Sequence, residues 1–187
     1  MTVDTTNPFR KLWALGYRRV IPITPPNCAI SPDSVLARRA RDPRHDPRGK
    51  APGVRRADGL WSSFNWTATE ATEGDVDRWA AMGAGVGVKT GCGVILIDAD
   101  ALEEAHAVII RDLIARRFGR LPVRVGRSPK AGYLLRIDGE APYRRVQFGP
   151  EIKPGLRRDR VEILTEGKQF VAHGVHPARP KRPTQGR

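Results

Sequence analysis

"GVILIDADA", residues 93–101, is the stretch on which the reading of this chain turns. Val94, Ile95, Leu96 and Ile97 are the β-branched and aliphatic residues of a buried strand. Two aspartates follow, Asp98 and Asp100, one residue apart. In a strand, residues i and i+2 project to the same face, so both carboxylates point the same way if the strand persists to residue 100. Two unit charges ~4 Å apart repel by about 1 kcal/mol in water and by roughly four times that near a protein surface. A shared proton, an arginine or a metal must offset this. Hard divalent cations such as Mg²⁺ or Mn²⁺ prefer oxygen donors and a few carboxylates. The residues alone leave a second reading open, in which Asp100 is the N-cap of a helix over 101–118.

Downstream, "VEILT" (161–165) places Glu162 among apolar neighbours. A carboxylate in a hydrophobic strand is costly unless it is paired or metal-bound. If this strand lies beside 93–98, Glu162 completes a cluster with Asp98 and Asp100. The alternative is an edge strand with Glu162 on its wet face. Between the acids, "VRVGRSPKAGYLLRI" carries Arg124, Arg127, Lys130 and Arg136 in or beside a turn containing Ser128, Pro129 and Gly132. Cations and free backbone N–H groups at a turn suit a triphosphate. His176, in "GVHP", can contact phosphate or sugar; no histidine pair has metal-ligand spacing.

The remaining chain sets the context. It has 187 residues, which suits one domain, and 40% hydrophobic residues, enough for a core. Lys and Arg number 33 against 20 Asp and Glu, a formal net charge of +13, which biases the partner toward polyanions and above all nucleic acid. Cys28 and Cys92 stand far apart, which argues against a disulfide framework or zinc site. No segment has signal-peptide character or the apolar length of a membrane span, so no membrane partner and a cytoplasmic location are expected.

Hydrophobic periodicity predicts helices over 8–19 (Phe9, Leu12, Trp13 and Gly16 on one face), 31–39 (Ser31 or Asp33 near its start), a two-turn segment within 67–85 (Asp75 as N-cap, Trp79 and Met82 inward) and 101–118 (Leu102, Ala105, Ile109 and Leu113 at helical spacing). Strands are expected at 20–23, 122–128 and 133–137. Hairpins are expected over 86–98 and, through the "EGK" turn, over 161–173. Residues 38–58 hold eight basic residues, three acids and three prolines, and read as a mobile basic loop. "APYRRVQFGPEIKPGLRRD" (141–159) reads as a second basic, loop-like stretch, and 178–187 as a disordered basic tail. The class is α/β or α+β around a mainly antiparallel sheet.

The ordered blocks "GKAPG" (49–53), "VGVKTGCGVILIDADA" (86–101), "PVRVGRSPKAGYLLR" (122–136) and "VEILTEGKQFVAHGVHP" (161–177) resemble the bifunctional DNA primase–polymerase domain of phage and plasmid replication proteins, within the archaeo-eukaryotic primase superfamily. The resemblance spans roughly residues 11–177, within a domain taken as 1–177. It implies an RRM-like antiparallel catalytic sheet with flanking helices beside a small N-terminal α/β unit. It also implies two divalent ions, Mg²⁺ or Mn²⁺, held by Asp98, Asp100 and Glu162, roughly 3.5–4 Å apart as in two-metal sites. By this pattern Arg127, Lys130 and Arg136 would hold the nucleoside triphosphate, and Ser128 and His176 are counted with them; from the basic loop and 144–160, Lys50, Arg144, Arg145, Arg157 and Arg158 are expected to contact the nucleic acid. The implied activity is template-directed nucleotidyl transfer that makes or extends primers on single-stranded DNA, in concert with a replicative helicase.

The chain departs from the family at its second motif: no histidine occurs from 107 to 172. It also ends soon after "GVHP", where relatives continue, which suits a standalone polypeptide, a fragment or a decayed prophage product. Two other classes compete: a primase-like module that binds nucleic acid without turnover, and a metal-dependent nuclease.

Overall fold

The computed structural model describes residues 7–42, 45–149 and 158–175. In chain order the elements are α1 (Pro8–Ala14), β1 (Val20–Ile23), α2 (Val35–Ala40), β2 (Val54–Arg55), β3 (Trp61–Ser62), α3 (Glu73–Ala81), β4 (Gly85–Lys89), β5 (Val94–Asp100), α4 (Glu104–Phe118), β6 (Val123–Arg127), β7 (Lys130–Arg136), β8 (Arg144–Phe148), β9 (Asp159–Leu164) and β10 (Gln169–His173). The architecture is α+β, with every paired strand in the named sheets antiparallel to its neighbours.

Five strands form the main sheet in the order β6-β7-β5-β9-β8. β5 runs through α4 into β6, with β7 inserted between the two strands, a split β-α-β unit. With β9 on the other side of β5, this is the strand order of an RRM-type sheet, extended at one edge by β8. A three-stranded sheet, β1-β4-β10, packs on the opposite face from α4.

Alternation along β5 explains the layering. Ile95, Ile97 and Ala99 point to α4, where they meet Ile110 and Ile114. Leu96 points the other way, into a core with Val86, Val88 and Phe170 of the smaller sheet and with Phe9, Val76 and Trp79. Leu134 and Leu164, directly opposite Leu96 on β7 and β9, pack against that same core. The two faces of β5 are thus filled as far as Leu96. Beyond it, the face that carried leucine carries Asp98 and Asp100.

Several local expectations are corrected. Neither expected hairpin forms. β4 and β5 belong to different sheets, and so do β9 and β10. The apolar residues on both faces of β5 need two covers, so the chain crosses between sheets at 90–93 and again at 165–168. The crossings are tied by Thr90, whose N–H donates to the Lys168 carbonyl and whose hydroxyl donates to that of Thr165. Gly91 turns this corner with φ +99, and a Cβ there would run into the Glu166 carboxylate.

Helix α4 begins at Glu104, and Asp100 does not cap it; its N-cap position is Glu103, with no side-chain cap bond. The stripe that faces the sheet is Ile110 and Ile114, while Ile109 and Leu113 are 56% and 52% exposed. Both stripes have helical spacing, and the sheet takes the one in phase with Ala107. α3 is capped by Thr72, with Asp75 as its reciprocal partner in a capping box. α1 ends at Ala14, and α2 starts after the N-cap Ser34.

Most of the expected mobile loop 38–58 is built into the fold. Ala51, Pro52 and Gly53 are buried. The Gly49 N–H donates to Thr24 O, the Thr24 N–H to Ala51 O, and the Gly53 N–H to Pro22 O, so "GKAPG" runs along the edge of β1. Among the described residues, no helix is long and apolar enough to cross a membrane.

Candidate metal and phosphate site

Residues directly opposed on neighbouring strands share a face. One such row crosses the whole main sheet: Arg124, Gly132, Asp98, Glu162 and Arg145 on β6, β7, β5, β9 and β8. The next row holds Arg127 opposite Lys130 and Asp100 opposite Arg160. Glu162 therefore does lie beside Asp98, on the side of the sheet away from α4. Asp98, Asp100 and Glu162 each offer a carboxylate oxygen within 4.8 Å of the others.

The three acids are unequally compensated. Lys130 Nζ donates to Asp100 Oδ1 at 2.9 Å, and Arg160 Nη2 lies 2.5 Å from Asp100 Oδ2. Arg160 Nε lies 3.0 Å from Glu162 Oε2, but without hydrogen-bond alignment, leaving this buried donor unsatisfied. The Tyr143 hydroxyl donates to Glu162 Oε1 at 2.7 Å, and Arg145 Nε stands 4.0 Å from the same oxygen. Among the described residues, no donor hydrogen-bonds to Asp98.

Titration follows this pattern. Burial, then the charges of Asp100 and Glu162, push the Asp98 carboxyl up to about 6, against the partial offset of Arg160 and Lys130. Burial acts to raise Asp100 too, but the hydrogen bond and charge of Lys130 and the charge of Arg160 outweigh it and hold Asp100 below its ordinary range. Burial lowers the Arg124 guanidinium, with Asp98 opposing. The hydrogen bond to Glu162 raises the Tyr143 phenol.

Asp98 and Asp100 form part of a cleft of about 200 Å³ whose wall includes Lys50, Arg124, Arg127, Lys130 and Val171. The Lys50 carbonyl accepts from Gln169 Nε2 at 3.0 Å, which fastens the "GKAPG" segment to β10 over the cleft. Gly132 keeps the floor between Arg124 and Asp98 free of a side chain; a Cβ there would crowd Leu96 at 3.2 Å. A larger cavity of about 490 Å³, lined by Ile23, Thr24, Gly85 and His173 among others, holds no acid or cation cluster comparable to this one.

The sequence-predicted residues therefore separate. Asp98, Asp100, Arg127, Lys130 and Lys50 meet at the cleft, and Glu162 joins the acids beside it. Ser128 lies in the turn between β6 and β7 and is exposed, outside the cleft lining. Arg136 is at the far end of β7, where its guanidinium donates to Leu15 O at 3.1 Å and stacks on Tyr17. It joins the sheet to the α1 turn and lies outside the cleft lining. Arg145 shares the acids' face; Arg144, opposite Ile163, projects to the other one. Arg158 is exposed just before β9. Arg157 and His176 lie outside the described residues.

Two partners of the acids were not foreseen. Arg160 sits two residues before Glu162, and strand alternation in "DRVEIL" was a sufficient signal for it. Tyr143 arrives from a loop, with no periodic signal to mark it.

The donor set fits a hard divalent ion: all the candidate ligands are carboxylate oxygens, they converge, and Asp98 has no hydrogen-bond donor among the described residues. No protein-family model matches the chain, and no curated protein matches it.

Proposed function

We propose that this chain is a metal-dependent nucleotidyltransferase of the primase–polymerase type, acting on single-stranded nucleic acid and nucleoside triphosphates. The observation that carries the reading is the convergence of Asp98, Asp100 and Glu162 on one sheet face, with Lys130 bound to Asp100 and Lys50, Arg124 and Arg127 along the same cleft. A divalent Mg²⁺ or Mn²⁺ held at this carboxylate cluster would supply Lewis-acid stabilisation of phosphoryl oxygens and activation of a hydroxyl nucleophile.

The chain's own residues account for binding and orientation. Lys50, Arg124, Arg127 and Lys130 present positive charge where a triphosphate would lie against the acids. On the β8–β9 side, Tyr143 and Arg145 flank Glu162, and Lys168 stacks over the Tyr143 ring. An exposed aromatic ring framed by cations is the arrangement that holds an unpaired base and its phosphates. The net charge of +13 serves the same electrostatic attraction.

One observation favours a second reading. Lys130 and Arg160 neutralise much of the cluster internally, so the network is able to persist as structure in a module that binds nucleic acid without turnover. Primer synthesis and extension with purified protein separate the two. Metal-dependent incorporation that disappears in Asp98→Ala/Asp100→Ala supports the transferase. Tight DNA binding with no incorporation supports the module, and degradation of DNA without added nucleotides would indicate a nuclease.

A further inference from the structure

The three carboxylates of this site have six oxygens between them, and four of these already have a cationic or hydrogen-bonding partner. Asp100 Oδ1 has Lys130, Asp100 Oδ2 and Glu162 Oε2 share Arg160, and Glu162 Oε1 has Tyr143. Only the two oxygens of Asp98 have neither an ion-pair nor a hydrogen-bond partner among the described residues. Arg160 is not a surface side chain that wanders into the cluster. Its strand places it opposite Asp100 and two residues from Glu162, it is 21% exposed, and its Nε is buried against the acids.

We infer that Arg160 is a resident counter-ion standing where a second metal would bind, so that the cluster takes one divalent ion, entering on the Asp98 side. The inference rests on the metal-site reading above and sharpens it, because the family resemblance implies two ions. Two arguments carry it. The first is charge: three carboxylates against Lys130 and Arg160 leave a single negative charge, with Arg124 and Arg145 close by. One divalent ion reverses that sign, and a second would enter a site already positive. The second is coordination: Mg²⁺ commonly binds through one or two carboxylates and keeps several waters. Asp98 plus one oxygen released by a neighbour meets that need. Two ions sharing the cluster would require Arg160 to leave both Asp100 and Glu162.

The test is calorimetric titration of Mn²⁺ into the full chain without nucleotide, for wild type, Arg160→Met and Arg160→Lys. The expected result is one ion per chain for wild type, loss of that ion in Asp98→Asn, a second ion in Arg160→Met, and a return to one in Arg160→Lys. Two ions in wild type would overturn the inference, as would an Arg160→Met protein that is folded by circular dichroism and binds as wild type does. If Arg160→Met does not fold, the wild-type stoichiometry decides alone. The absence of any binding at millimolar Mn²⁺, in wild type and Arg160→Met alike, would instead sink the metal-site reading beneath it.

Discussion

Replacing Asp98 by Asn should make the metal-free protein more stable, and the pH at which it does so is set by the site. Asp98 is a carboxylate held among carboxylates with no hydrogen-bond donor of its own among the described residues, and its pKa rises from 3.8 to about 6. A rise of roughly two units at ~1.4 kcal/mol each puts the cost of ionising Asp98 in the folded state at about 3 kcal/mol. Below the unfolded value, both states carry the proton and Asp98 costs nothing. Between the two values the native state holds the proton more tightly than the unfolded chain, so stability falls as pH rises. Above the folded value the penalty is complete. Asn keeps the shape and removes the charge. Asp98→Asn should therefore match wild type near pH 3 and exceed it by about 3 kcal/mol near pH 8, which corresponds to roughly 6–12 °C in Tm for a chain of this size. The assay is denaturant unfolding of both proteins across this range in the presence of a chelator. Adding Mn²⁺ should raise the wild type alone and close the gap. Parallel stabilities at every pH, or a variant less stable than wild type at pH 8, would refute the picture of Asp98 as an uncompensated ligand.

Other consequences follow from the same geometry. Lys50→Ala should weaken binding of a fluorescent nucleoside triphosphate more than it weakens binding of single-stranded DNA; the reverse order would return Lys50 to the nucleic-acid surface. Leu96→Ala removes the side chain through which β5 enters the second core, where it is 4% exposed, and should cost about 2–5 kcal/mol in denaturant unfolding. Thr72→Ala breaks the capping box of α3 and should cost about 1 kcal/mol by the same measurement.

The acidic cluster is more legible in the sequence than the path of the chain. Alternation in "ILIDAD" and the single acid in "VEIL" are signals of period two, and they required only that β5 and β9 be neighbours. What it obscured was which strands pair. "VGVKTGCGVILID" has the length and turn residues of a hairpin, but its two strands enter separate sheets because β5 is apolar on both faces and needs cover on each. Local turn chemistry does not encode that demand. The "GKAPG" segment departs from its expected mobility for a related reason. Its polar composition suggested a free loop, yet its backbone is consumed by bonds to Thr24 and Pro22, and these carry Lys50 to the cleft. Arg136 shows the opposite error: a cation near the right motif in sequence, but at the wrong end of its strand.

What binds between Asp98, Asp100 and Glu162 decides most directly how this chain works. Crystals soaked in Mn²⁺ and measured at the manganese absorption edge provide the test. One anomalous peak is expected within coordination distance of Asp98 and of an oxygen from Asp100 or Glu162, with Arg160 still beside the remaining carboxylate oxygens. No peak at these acids in ion-loaded crystals, with Lys130 and Arg160 unmoved, would contradict it.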